Sequence, residues 1–298
     1  MKRILKNNTW LWMLLVGIPL FAIGCFDEVH DDEIGGLTIN IDWQDEEDAL
    51  TEVKNLHLWI YDANSGKLEK ELTYTDARTL ADERHNLAKG KYRVVIGVNM
   101  SDQVLADVET LDNVNFFVNG AAVPEQQMFY GTVDAELDGT SVCQVTNVLR
   151  RLFAELSVTI VNVPSGAVLN GEVLSTAECF YPSQKGTDGE YGVESSGAKT
   201  LRLPEDLTPV NGTIETGTIY LMPTASSLEN SHAKLVLKTS DGKEQIIETE
   251  APVMVSNGKY QINLDYHTMR PYIDITGNTI NKWEDGWSYD GESPLPNE

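Results

Sequence analysis

LRRLFAELSVTIVNV, residues 149–163, holds the longest alternating run in the chain: Leu152, Ala154, Leu156, Val158 and Ile160 fall at every second position. Successive side chains of a strand point to opposite faces. Sustained period two therefore means a half-buried β-strand rather than an amphipathic helix, whose apolar positions recur every three to four residues. The reading on either side follows from this strand.

Upstream, Leu37, Ile39, Ile41 and Trp43 alternate with polar residues, and Leu56, Leu58 and Ile60 repeat the pattern before a turn cluster at Asp62-Ala-Asn-Ser-Gly66. KYRVVIGV, residues 91–98, is apolar almost throughout and reads as a more deeply buried strand. Ser101–Leu111 carries Ser101 as an N-cap and Val104, Leu105, Val108 and Leu111 at helical spacing, which predicts a short helix. Downstream, the polar, Gly-rich stretch Ser183–Lys199 predicts a long surface loop. Strands are expected at Thr218–Met222, at Ala233–Lys238 and Gln245–Thr249 around the Ser240-Asp-Gly242 turn, at Tyr260–Tyr266, and at Tyr272–Thr276. Short strands at regular spacing with turns between them predict a mainly β protein of two antiparallel β-sandwich domains with one or two short helices. The expected division is residues 37–145 and 146–289, with a boundary near 145 and a flexible tail at 290–298.

The chain has 298 residues and a formal charge of -24, from 46 acids against 22 bases. So acidic a surface repels phosphates and anionic headgroups, which excludes nucleic acid as a partner. The amino terminus departs from this balance. Lys2, Arg3 and Lys6 precede an apolar run from Trp10 to Ile23, the anatomy of a signal peptide over residues 1–24. The run is shorter than the roughly 20 residues that span a bilayer. Its end, Ala22-Ile23-Gly24-Cys25, resembles a bacterial lipobox, with Ala22 where Leu is usual. That resemblance implies acylation of Cys25 and outer-membrane lipid as a partner, each buried CH2 of the acyl chains contributing about 0.8 kcal/mol. Asp27, Glu28, Asp31, Asp32 and Glu33 follow at once, in an acidic tether over residues 25–36. They are a solvated spacer, and they also resemble the acidic signal that sends lipoproteins to the outer leaflet in some Gram-negative bacteria.

Catalytic constellations are missing from the sequence. The five histidines are scattered, no pair stands at metal-ligand spacing, and no nucleophile elbow, HExxH, phosphate loop or dinucleotide motif occurs. No enzyme activity, metal or cofactor is implied. Asp62–Gly66 faintly suggests a calcium loop but lacks the bidentate Glu, so a turn is the better reading. Cys143 and Cys179 would meet an oxidising compartment, either as a disulfide or as two buried thiols. Trp283 and Trp287 flank Glu284-Asp-Gly286 and are either a glycan platform or packing residues.

Several features together resemble a known family. Leu149–Thr159 opens the second domain after Met128-Phe-Tyr-Gly-Thr132; Trp59-Ile-Tyr-Asp62, Gly90–Asn99, Thr218-Ile-Tyr-Leu-Met-Pro223 and Ile273-Asp-Ile-Thr…Ile280-Asn-Lys-Trp283 accompany it in order. This pattern, over residues 25–287, is similar to the fimbrillin superfamily of type V pili, and more closely to its FimB-type fimbrial anchor lipoproteins. The resemblance implies two transthyretin-like sandwiches, a fimbrial stalk subunit as partner, and strand complementation at an open sheet edge. It also implies a lipid-anchored base at the outer membrane, facing the cell exterior. Stalk subunits of the family mature by cleavage after an Arg; Arg150 and Arg151 begin a core strand and are not assigned that role. A surface glycan-binding lipoprotein is the alternative reading.

Overall fold

The computed structural model describes residues 35–43, 53–76, 80, 83–268 and 272–277, with Ala251 and the last stretch described by backbone alone. The signal segment, Cys25, the acids from Asp27 to Glu33, Trp283, Trp287 and the tail lie outside the described residues. The first half supplies β1 (Gly36–Asp42), β2 (Leu56–Asp62), β3 (Leu68–Tyr74), β4 (His85–Asn86), β5 (Gly90–Val98), β6 (Val104–Asp107), β7 (Asn115–Val118), β8 (Phe129–Leu137), β9 (Val142–Val148) and β10 (Arg150–Arg151). The second supplies β11 (Ala154–Val161), β12 (Val168–Ala177), β13 (Phe180–Lys185), β14 (Tyr191–Glu194), β15 (Ala198–Arg202), β16 (Ile214–Glu215), β17 (Ile219–Leu221), β18 (Ser231–Lys238), β19 (Glu244–Ala251), β20 (Lys259–Asp265) and β21 (Tyr272–Gly277). No helix lies wholly among the described residues.

In the first unit a three-stranded sheet, β4-β1-β9, packs on a five-stranded sheet, β10-β8-β5-β2-β3. Leu37 and Ile39 meet Leu56, Leu58, Ile60, Val94, Ile96, Val98 and Phe129 between them. The opposite face of the five-stranded sheet is covered too. Trp59, Tyr61, Val95 and Tyr130 cluster with Val104, Phe116, Val118 and Phe180 of a third layer, β14-β13-β7-β6. Burial on both faces is why β5 is apolar at nearly every position instead of alternating; Val94, Val95 and Ile96 are all fully buried.

That third layer is drawn from both halves of the chain, joined where Phe180 pairs with Phe116. In the second unit β16-β11-β20-β21, with β17 also on β11, and β15-β12-β18-β19 enclose Leu156, Val158, Ile160, Leu169, Val173, Leu235, Leu237 and Ile262. The alternating residues of the opening quotation, Ala154, Leu156, Val158 and Ile160, are at most 3% exposed. Each such burial contributes about 1.5–3 kcal/mol for a Leu, Ile or Val. Sheet membership changes between Arg151, which pairs with Phe129 in the first unit, and Ala154, which pairs with Leu221 in the second.

The two units share a feature that alternation does not reveal. Each opening strand pairs in parallel with a strand far downstream: β1 with β9, from Gly36↔Val142 to Asp42↔Val148, and β11 with β20, from Glu155↔Lys259 to Val161↔Asp265. These ladders interrupt sheets that are otherwise antiparallel.

Two sequence expectations are corrected. The predicted helix at Ser101–Leu111 is a turn followed by β6. The Ser101 hydroxyl accepts a hydrogen bond from the Gln103 amide at 3.2 Å, and its carbonyl accepts one from the Val104 amide at 3.0 Å. Val104 and Leu111 are buried, but Leu105 on the expected stripe is 38% exposed. Pairing with β7 in the third layer overrides weak local helical preference, as tertiary context commonly does. The predicted loop at Ser183–Lys199 instead contains β14, the end of β13 and the start of β15. The turn between β13 and β14 closes through Gly186 N–H to the Glu190 carbonyl at 2.8 Å, with Gly189 in the left-handed region at φ 85°.

Candidate strand-accepting edge and groove

The turn Asp138-Gly-Thr-Ser141 reverses the chain between β8 and β9. The Asp138 carboxylate accepts the Thr140 and Ser141 amides at 2.8 Å each, and these hydrogen bonds hold its carboxyl far below the ordinary range. Instead of pairing with β8, β9 crosses to the other sheet and pairs with β1. Among the described residues no strand pairs with the other edge of β9. The outer edge of β8 is likewise paired only by β10, at Phe129 and Tyr130. Val142, Gln144 and Thr146 of β9 are exposed, Val142 by 47%.

Between these edges lies a groove of about 200 Å³, lined by Tyr130, Thr132 and Val133 of β8, Thr146 and Val148 of β9, and Tyr191 from the start of β14. Gly131 forms its floor. A Cβ there would overlap the Asn147 side-chain oxygen and come within 2.8 Å of the Val148 carbonyl, so only glycine lets the two edges approach this closely. The Asn147 side chain is fully buried, and neither its oxygen nor its nitrogen has a hydrogen-bond partner.

Side chains from five segments build the groove's polar end. Arg150 pairs with Glu190 at 2.6 Å. The Tyr191 hydroxyl donates to Asp134 at 2.5 Å, and Asp134 also takes the Arg93 guanidinium at 2.7 Å. Arg93 and Lys185 stand 4.9 and 4.7 Å from the Tyr191 ring centroid. Burial, then the bond to Asp134, pushes the Tyr191 hydroxyl up to about 12. Burial also pushes Tyr130 to about 12. Burial works against ionisation of Asp134, but the Arg93 and Tyr191 hydrogen bonds prevail and hold its carboxyl below the ordinary range. These groups are locked to one another and fix the groove's shape; no hydroxyl among them is poised as a nucleophile.

Sequence motifs had not marked this groove, because Gly131, Arg150 and Tyr191 come from segments with no common period or motif. The residues they did mark are dispersed. Cys143 and Cys179 are both free, so the structure does not join them in a disulfide. Cys143 packs against the first core, whereas Cys179 in the other half accepts the Ser195 amide at its carbonyl and donates its own amide to the Ser195 hydroxyl. Asp62 accepts the Asn64 and Ser65 amides, an Asx turn in place of a calcium loop. His57 stacks on Trp59 with centroids 5.7 Å apart. His85, which the sequence did not single out, is fully buried with its Nδ1 3.7 Å from Glu83. Among the described residues no cluster of His, Cys, Asp and Glu could hold a metal ion.

The described residues thus form a mainly β protein with an unpaired sheet edge beside a groove. The model of the family described as Fimbrillin-A associated anchor proteins Mfa1 and Mfa2 matches residues 28–284, and the chain belongs to this family. Solved structures share its fold. A candidate polysaccharide-binding protein from Bacteroides thetaiotaomicron superposes with a TM-score of 0.53 at 13% identity, covering 87% of this chain and 100% of that one. A candidate adhesin from the same organism gives 0.51 at 14% identity, over 81% of this chain and 95% of its own. The fimbrial anchor protein Mfa2 from Porphyromonas gingivalis gives 0.50 at 13% identity, over 77% and 90%. Comparison with curated protein sequences gives no match. Family membership assigns the chain a structural, pilus-associated role among fimbrial subunits at the cell surface, and points away from an enzyme.

Proposed function

We propose that this protein is the lipid-anchored base of a cell-surface pilus. The observation that carries the reading is the position of Cys25, at the end of the apolar signal run and three residues before the family match begins at residue 28. Cys25 takes the acyl chains, Asp27, Glu28, Asp31, Asp32 and Glu33 are tether and export signal, and the two transthyretin-like units stand outside the outer membrane. A stalk subunit completes the first unit by adding a strand at the open edge of β9. Main-chain bonds along that edge supply affinity, and the groove beside Gly131 receives alternate side chains. The glycan-binding alternative rests on Trp283 and Trp287 alone.

Replacing Cys25 with Ala is expected to release the protein from membranes into the soluble fraction. Unchanged membrane partition would refute lipidation. Deleting the gene is expected to shed pili into the medium, and firmly attached pili of normal length would overturn the anchor role.

A further inference from the structure

The way the chain enters the first unit has a mechanical meaning. β1 begins at Gly36, and its last residue, Asp42, accepts the Leu149 amide at 2.9 Å beside the link into the second unit. The free end of β1 therefore points away from the second unit, by the length of seven strand residues, or about 23 Å at 3.3 Å per residue. The parallel partner β9 runs the same way and leaves at Val148 toward that unit. A pull at Gly36 opposed by a pull from the second unit loads these two strands at opposite ends. All seven register pairs, Gly36↔Val142 to Asp42↔Val148, then bear the force together. Parallel ladders have evenly spaced bonds, which shares the load along the strand. Leu37 and Ile39, fully buried, must leave the core in the same event.

We propose that β1 and β9 form a shear clamp, which gives the protein a second function: bearing tension between its amino-terminal attachment and whatever is bound farther along. The biological use of the clamp rests on the anchor reading, in which the membrane pulls at the tether; its mechanics do not. The β11–β20 ladder has the same sense, but β21 folds back along β20, so that Gly277 lies opposite Lys259 at the entry end of the unit. A pull on the segment after Gly277 peels β21 away first. The strong direction of the molecule is set by the first unit.

The test uses the same bonds in two geometries. In the full chain, one handle is placed at the amino-terminal end and the other, through a click-reactive side chain, at Ser165 or at Thr140. Both positions are exposed turn residues. Ser165 lies in the second unit, so this pair shears β1 against β9. Thr140 lies beside Val142, the partner of Gly36, so that pair peels the ladder open one residue at a time. Forced unfolding reports the barrier to unfolding, so the two geometries of one molecule are directly comparable. Single-molecule pulling is expected to give a rupture force severalfold higher through Ser165 than through Thr140, with thermal melting the same for both labelled proteins. Equal rupture forces would overturn the clamp and leave the anchor reading untouched. Retention of Cys25→Ala protein on membranes would do the reverse.

Discussion

The two units open alike and close differently. If β1 is laid on β11 by register, β9 falls on β20, and Val142, Gln144, Thr146 and Asn147 take the places of Lys259, Gln261, Asn263 and Leu264. In the second unit β21 covers the far edge of β20; in the first, among the described residues, nothing pairs with the far edge of β9. The position that holds buried Leu264 in one ladder holds Asn147 in the other, an amide with two unpartnered atoms. A finished ladder is optimised for stability. The unfinished one keeps an exposed edge and a polar residue that stability alone would remove.

The hardest test of the comparison removes core volume from each unit in turn. Leu58→Ala and Leu235→Ala, both at fully buried positions, are each expected to cost about 2–5 kcal/mol. Because the third layer joins the halves, urea unfolding should remain a single transition in both variants. Two separated transitions would show that the units are independent after all. Gly131→Val strikes the groove floor and is expected to cost about 1–3 kcal/mol through overpacking against Asn147 and Val148. A variant as stable as the parent would mean that β8 and β9 can part without loss.

Asn147→Leu installs the second unit's residue in the first. An unpaired buried amide carries a desolvation cost of about 1–3 kcal/mol, so the substitution is expected to stabilise by about 1 kcal/mol in denaturant titration. A loss of stability would show that the amide is satisfied in solution. The gentlest perturbation is pH. Burial depresses the pKa of His57 and, with Lys70 nearby, that of His85; both lie in the first unit. The folded state holds them neutral, so their contribution is complete above the unfolded value near 6.5 and is lost as pH falls below it toward the depressed folded values. His85→Leu should flatten the stability curve below about pH 6.5 without abolishing its slope, which His57 retains. An unchanged slope would place the acid sensitivity elsewhere.

What the sequence made legible follows from what period two encodes. It marks which face of β1, β11 and β20 is buried, since one neighbour on one face suffices to produce alternation; in β2 it marks only the face of Leu56, Leu58 and Ile60, while Trp59 and Tyr61 are buried on the other. The continuous run in β5 correctly signalled burial on both sides, although the layer supplying the second face comes from residues 104–118 and 180–194. Partners at such separations leave no trace in local spacing. This is why the helix expected at Ser101–Leu111 and the loop expected at Ser183–Lys199 were misread: each is shaped by the other across Phe116 and Phe180. The groove was invisible for the same reason, because Gly131, Asn147, Arg150 and Tyr191 acquire a shared purpose only through the crossing of β9 to another sheet. The lipidation expected at Cys25 is of the opposite kind, an expectation that rests on its immediate neighbours alone.

The shared third layer also fixes an order of events at birth. Residues 1–151 by themselves leave Trp59, Tyr61, Val95 and Phe116 without the aromatic residue Phe180 that lies against Tyr130, its ring 4.7 Å away. A chain made amino end first therefore leaves the part of this apolar face that β13 and β14 cover open until residue 194 has followed. A chain truncated at the apparent domain boundary would present that face permanently, whereas one extending through β15 would close it.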